Sequence, residues 1–394
     1  MINDLINEKN IEIYLQPIIS IKDKKIFGYE ALTRANDRYG ESISPHYLFE
    51  QAKKENLSCE LDDYVRELAL AKFQSYYRDD KSVLLFLNFE SNIIENEMSN
   101  DFVPMAYKYN ISPSNIVIEV KEEKIKNTHA LKSFVNHYKK NGFIIALDDF
   151  GAGYSSFDRL EYIQPDIVKI DRSLIYNIHN NFINSEILTA ISNMCNKIGA
   201  MTLAEGVENG DEVLTCMRKH IDVFQGYWFA RPTKDIDISM AEDICKSVEY
   251  IGDKYKNGVK EHIKKKQQLL ENTKLLTKEV LSVLNEKKDY DLSKVHKVFA
   301  KNDKLEAVYI IDLYSGVQVG ETVIHAEEKY LYTPSKDGHD HSLREYYYIA
   351  KESSRGDFLS AKYISKASGN MCRTYSSKVL SNGNNYIVCF DILN

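Results

Sequence analysis

The chain has 394 residues, 43% hydrophobic and 28% charged, which is the composition of an ordinary folded protein and excludes a disordered one. That length exceeds what one hydrophobic core usually serves, so two domains are expected. A formal net charge of -7 argues against binding a nucleic acid polymer through its backbone, so a small anionic ligand needs local help from a metal or from placed Lys and Arg side chains.

The opening MINDLINEKNIEIYLQ lacks a basic stretch followed by an apolar core, so no secretory signal is expected. No apolar run is long enough to suggest a membrane span. The six cysteines show neither a CxxC nor a framework spacing and are expected to be reduced, mostly buried apolar side chains. The cytoplasm is the expected location.

From residue 11 to about 230 short β-branched or aromatic runs alternate with longer helical patterns. The runs are YLQPIIS, KIFGYEAL, SVLLFLNF, NIVIEV, FIIALDD, DIVKID, MTLAEGV and VFQGYWF. Stretches such as SPHYLFEQAKKEN, HALKSFVNHYKKN and FINSEILTAISNMCNKIG are helical in pattern. This order and length predict an α/β fold, a modified (β/α)8 barrel. The first two runs are too close together for a parallel crossover, so they must form an antiparallel hairpin, giving a barrel with one antiparallel strand.

After Pro232 the pattern changes to a long helix, with Ile244, Val248, Ile251, Tyr255, Val259 and Ile263 at spacings of three and four. Its lysines, from Lys254 to Lys266, are read as a solvated face. The expected organisation is a barrel over residues 1–245, a linker helix over 246–290 and a small α+β domain over 291–394. That last part carries short strands, turn signals and one central helix.

Acids and amides recur at the C-terminal ends of the barrel runs: Glu30, Asn88, Glu119, Asp148 with Asp149, and Glu205. In a β/α barrel these ends converge on one rim, where chemistry takes place. Carboxylates gathered there repel one another unless a cation lies between them. Oxygen ligands without a His/Cys cluster suit Mg²⁺ or Mn²⁺ rather than zinc. Asp148 and Asp149 are expected to serve one site because the strand ends there, with Gly151 and Gly153 allowing the chain to turn away.

The run of motifs QPI (Gln16 to Ile18), EALTR (Glu30 to Arg34), LNF (Asn88), EVKE (Glu119 to Glu122), DDFGAGYSS (Asp148 to Ser156), VKIDRSLI, AEGVEN and QGYWFARP resembles the EAL-domain cyclic di-GMP phosphodiesterases over about residues 10 to 235. The resemblance implies hydrolysis of one phosphodiester of cyclic di-GMP to linear pGpG with two Mg²⁺ or Mn²⁺ ions per active site. It implies that Glu30, Asn88, Glu119 and Asp148 hold one ion and that Asp148 bridges to a second, also held by Asp149. By the same resemblance Glu205 is a second-metal ligand or a general base, and Lys169 orients the attacking water. Glu122 anchors the loop after Asp149. Gln225 supports the water, Arg34 contacts phosphate, and Gln16 and Leu32 line the substrate groove. Glu208 acts less directly, one layer back or at a dimer contact. Lys121 and Ala152 stand where the family commonly has threonine, and Phe89 and Glu90 where small hydroxyl residues are usual.

The alternative is a catalytically silent receptor that binds cyclic di-GMP and signals through its C-terminal part. That part resembles PAS/Cache-like sensor domains, which implies a small ligand near Arg344, Tyr346 or Tyr347 in HDHSLREYYYIAKES. Aromatic residues on a helix also suit a core. A homodimer is expected, with regulation of the barrel by the sensor.

Overall fold

The computed structural model describes residues 2–7, 9–91, 94, 101–121, 127–153, 157–285, 304–325, 331–353, 356–381 and 383–393. The chain divides into two compact units, Met1–Val259 and Lys260–Asn394.

In the first unit β1 (Ile11–Ser20) and β2 (Lys25–Asn36) pair antiparallel, as the short Ile21–Lys24 connection requires. The short β3 (Ser42–Ile43) adds to the outer end of β2. Parallel strands follow: β4 (Leu84–Asn88), β5 (Ile116–Lys121), β6 (Ile144–Phe150), β7 (Ile167–Ile170), β8 (Met201–Ala204) and β9 (Val223–Phe224). Pairing runs β1-β9-β8-β7-β6-β5-β4-β2 and closes through β1–β2, an eight-stranded barrel in which β1 runs against both neighbours. This is the expected modified TIM-type barrel.

Helices fill the outer layer where the 3.6-residue pattern places them. Ser44 caps Pro45–Lys54 by accepting from Tyr47 N, with proline in the first turn, where its missing N–H costs nothing. Asn127 and Asn181 cap Thr128–Lys140 and Phe182–Ile198 in the same way. Gly199, at φ 81, ends the latter in the left-handed conformation that glycine adopts freely.

Strand alternation divides the barrel residues between two cores. Outward side chains such as Leu85, Ile118, Leu147 and Val168 pack under the helices. Inward ones, Ile18, Leu84, Phe86, Val117, Ala146, Ile167, Leu203 and Val223, fill the barrel. The next inward position on each strand, two residues on, is a polar site residue: Asn88 after Phe86, Glu119 after Val117, Asp148 after Ala146, Lys169 after Ile167, Glu205 after Leu203 and Gln225 after Val223. On the reversed β1 the order inverts, and Gln16 precedes Ile18.

One helix runs from Ile238 to Asn285, within the stretch after Pro232 whose apolar spacing indicated it. Its early positions are part of the first unit, because Ile244, Val248 and Ile251 are buried in the barrel's outer core. The apolar stripe does not continue as buried surface: Val259 is 38% and Ile263 is 51% exposed.

The second unit is a six-stranded antiparallel sheet ordered β11-β10-β15-β14-β12, with β13 on β14. Its strands are β10 (Leu305–Asp312), β11 (Gln318–Ile324), β12 (Asp357–Leu359), β13 (Tyr363–Ile364), β14 (Met371–Ser381) and β15 (Asn384–Leu393). One face packs Tyr309, Ile311, Ile387 and Cys389 against Tyr347 and Ala350 of the helix Glu345–Glu352. The other packs Val308, Ile310, Val388 and Phe390, with Leu270 of the long helix against them. Cys195, Cys216, Cys372 and Cys389 are buried and free, while Cys245 is exposed. Among the described residues no helix is long and apolar enough to cross a membrane.

Candidate active site

The C-terminal ends of the barrel strands open into a cleft of about 960 Å³. Its lining includes Gln16, Glu30, Leu32, Arg34, Asn88, Asp148, Asp149, Lys169, Glu205 and Gln225, nearly the whole set expected from the sequence. Glu119 lies beneath that lining, fully buried. Glu122 lies outside the described residues.

Lys169 stands at the centre. Its Nζ is 2.6 Å from Glu119 Oε1, 2.7 Å from Glu205 Oε1, 2.8 Å from Asp148 Oδ1 and 3.8 Å from Glu30 Oε1. Burial alone would lower its pKa, but Asp148, Glu119, Glu205 and Glu30 together hold it well above the ordinary lysine value. The carboxylates divide. Burial raises Asp148, but the charge and hydrogen bond of Lys169 outweigh it and the group lies below its usual value. Burial lifts Glu119 well above the usual carboxylate range, with Lys169 opposing and Glu30 and Asp148 reinforcing. Burial likewise pushes Glu205 up to about 8 against the pull of Lys169.

Amides set the orientation of Glu30. Asn88 Nδ2 donates to its Oε1 at 3.0 Å, and Gln225 Nε2 donates to its Oε2 at 2.6 Å. Gln225 also donates to Gln16 Oε1 at 3.1 Å, and Gln16 in turn to Ala230 O at 3.1 Å.

The two aspartates reach one site by a different route from the expected one. β6 does not end at Asp149 but continues to Phe150, with a break in its register against β7 between Leu147 and Phe150. Asp149 takes a left-handed backbone, φ 58, unusual for a non-glycine residue. An irregularity of this kind inserts an unpaired residue and re-aims a side chain, here toward the same mouth. Gly151, at φ 96, then carries the chain away. Asp149 Oδ2 meets Lys121 Nζ at 3.1 Å, a contact that strand-end reasoning missed. Alternation could have indicated it, since Lys121 shares a face of β5 with Glu119. Arg172, also not anticipated, lines the cleft and pairs with Glu208 at 2.7 Å. Arg34 lies at the cleft, its Nη1 donating to Thr33 O at 2.8 Å.

The donor set fits a divalent cation. Asp148, Asp149 and Glu205 each offer an oxygen within 4.8 Å of the others. Both oxygens of Glu119 and Oδ1 of Asp148 are buried, and Glu119 Oε1 and Asp148 Oδ1 lie at ion-pair distance from Lys169. Oxygen-only ligands are the preference of Mg²⁺ and Mn²⁺.

In the second unit Tyr347 is buried, and its hydroxyl donates to Leu313 O at 2.9 Å while accepting from Lys351 Nζ at 3.0 Å. Tyr346 Oη lies 2.6 Å from His341 Nδ1. Arg344 is exposed and precedes the helix.

A family profile described as "EAL domain" matches residues 1–232. The uncharacterized EAL-domain containing protein YkuI of Bacillus subtilis is 24% identical over 385 residues, 94% of this chain and 92% of that protein. The crystal structure of YkuI, described as a complex with substrate c-di-GMP and calcium, has a TM-score of 0.84 at 22% identity, covering 100% of this chain and 99% of that one, a likeness of fold. The Klebsiella pneumoniae BlrP1 manganese/cy-diGMP complex has a TM-score of 0.51 at 26% identity over 57% of this chain and 56% of that one. Among curated relatives, the probable cyclic di-GMP phosphodiesterase PdeG of Escherichia coli is 28% identical over 59% of this chain, which spans 46% of that protein.

Proposed function

The chain belongs to the EAL-domain family, and on that premise we propose that it hydrolyses one phosphodiester of cyclic di-GMP to linear pGpG with divalent metal. The observation that carries this reading is the gathering of Glu30, Glu119, Asp148 and Glu205 around one buried ammonium, with oxygens of Asp148, Asp149 and Glu205 close enough together to share a cation.

Glu30, Asn88, Glu119 and Asp148 would hold one Mg²⁺ or Mn²⁺, and Asp148, Asp149 and Glu205 a second. Such ions supply Lewis acidity toward a bound water and a phosphate oxygen. The chain's own groups do the rest. Gln225 and Asn88 hold Glu30 in one orientation, so its oxygens need no reorganisation during reaction. Lys169 keeps a fixed positive charge among the acids and donates toward Glu205, which would serve as a ligand of the second ion or, alternatively, as the general base. Arg34 and Arg172 offer guanidinium groups along the cleft for the anionic substrate. Gln16 and Leu32 line the cleft.

The test is chromatography of cyclic di-GMP incubated with the protein and Mg²⁺ or Mn²⁺. Appearance of pGpG, lost in Glu30→Ala and Asp148→Asn, supports the reading, and near wild-type hydrolysis by either variant rejects it. The silent-receptor alternative has one observation in its favour, the Lys121–Asp149 pair, because an ammonium there opposes a cation. Binding without pGpG selects that alternative. We further propose a cytoplasmic homodimer whose residues 291–394 form a PAS/Cache-like sensor for a small ligand at Arg344, Tyr346 or Tyr347. Deletion of that part without effect on activity or oligomeric state rejects the regulatory role.

A further inference from the structure

Two ammonium groups share the acids of the barrel mouth, and they differ in one respect. Lys169 pairs with Glu30, Glu119, Asp148 and Glu205 and is 1% exposed, so it has no path out. Lys121 pairs with Asp149 and is 40% exposed, its partner 39%. Both are placed by strand geometry. Lys121 is the last residue of β5, two beyond Glu119 and on the same inward face, level with Asp148 of β6. Its four-carbon stem therefore rises from the barrel wall to the mouth, where Asp149 is turned by its left-handed backbone.

Asp149 is also one of three carboxylates whose oxygens lie close enough together to share an ion. A group already neutralised by an ammonium at 3.1 Å offers less to an incoming cation than a bare carboxylate does. An exposed ion pair is weak, so this ammonium can be displaced, but it stays tethered and competes again whenever the ion leaves. Lys169 cannot be displaced in this way.

We propose that Lys121 is a built-in competitor for the outer of the two cation positions, so that this residue sets how much free divalent metal is needed to fill it. The proposal rests on the metal-dependent reading above. It makes the inner position, walled by Glu30, Asn88 and Glu119, the tighter one. The outer position, at Asp149 and Glu205, becomes the one that responds to metal concentration.

Calorimetric titration of Mn²⁺ into the full chain without cyclic di-GMP tests this, comparing wild type with Lys121→Met and Lys121→Arg. Lys121→Met keeps the length of the side chain and removes the charge. It is expected to bind two ions, the tighter unchanged and the weaker strengthened about 10- to 100-fold, the range seen when groups supporting a metal ligand are altered. Lys121→Arg, which keeps the charge, is expected to resemble wild type. Equal affinity for the weaker ion in wild type and Lys121→Met overturns the proposal and leaves the metal-dependent reading intact. Failure of every form to bind Mn²⁺ overturns both.

Discussion

Lys169 Nζ lies 2.6 Å from Glu119 Oε1, and the two side chains are 1% and 0% exposed. Neither charge is tolerable at that depth without the other, since taking ions out of water is costly and close pairing only offsets it. The lysine thus stands in for positive charge that the acids require. Replacing it by the isosteric Lys169→Met leaves Glu119, Asp148 and Glu205 uncompensated. Its urea midpoint in EDTA is expected to fall by the equivalent of about 3 kcal/mol. Saturating Mn²⁺ is expected to restore part of that loss, because a cation replaces the missing charge. An unchanged midpoint would contradict this account of the pair.

Gln225 tests orientation rather than charge. Its amide bridges Glu30 Oε2 and Gln16 Oε1, so Gln225→Ala frees Glu30 to turn and leaves Gln16 with an unmet acceptor. Stability is expected to drop by about 1 kcal/mol. Hydrolysis at limiting Mn²⁺ is expected to drop about 10- to 100-fold and to recover largely at high Mn²⁺. Titrating activity against Mn²⁺ checks this, and a loss that high metal does not repair would assign Gln225 a different task.

Much of this site was legible in the sequence because a parallel barrel turns period-two alternation into a place. An inward apolar residue such as Val117 or Ala146 is followed two positions later by Glu119 or Asp148 at the rim. The reversed β1 was also legible, from the shortness of the Ile21–Lys24 connection. What alternation hides is any departure from it. Asp149 would point out of the barrel on a regular strand, and only the register break in β6 and its left-handed backbone bring it in. The reach of Lys121 to Asp149 depends on that same break. The pairing of Arg172 with Glu208 joins the end of β7 to the loop after β8, a contact that no local pattern encodes.

The backbone at Asp149 carries its own prediction. A left-handed conformation costs a side-chain-bearing residue roughly 1 kcal/mol that glycine avoids. Asp149→Ala and Asp149→Gly both remove the carboxylate and its pairing with Lys121. Any stability difference between them therefore reports the backbone. Asp149→Gly is expected to be the more stable by about 1 kcal/mol in EDTA, although glycine is normally the less stabilising residue. Both are expected to lose hydrolysis. Urea melts of the two variants measure the first point, and equal stability would mean that the strain is absent.

His341 is buried in the second unit and stacked on Tyr309 with ring centroids 5.4 Å apart. Gln318 donates its amide to Gly320 O, Thr322 Oγ1 and Ser335 O, which turns its Oε1 toward His341 Nε2 at 2.9 Å. The imidazole must then carry its proton on Nε2, and Nδ1 accepts from Tyr346 at 2.6 Å. Protonating Nδ1 would oblige the Tyr346 hydroxyl to turn and accept instead of donate. Burial, followed by His339 and Arg344, lowers this histidine to about 4, with Asp340 opposing. The folded value lies below the ordinary one near 6.5, so between those values the unfolded chain binds a proton that the folded chain refuses. Stability from this group is therefore complete above about pH 6.5 and is lost as pH falls toward 4. Hydrogen exchange of β10 and β15, corrected for intrinsic rates, is expected to show protection falling across that window. His341→Gln cannot take up the proton and is expected to flatten the pH dependence. A wild-type slope preserved in His341→Gln would assign the effect to another group.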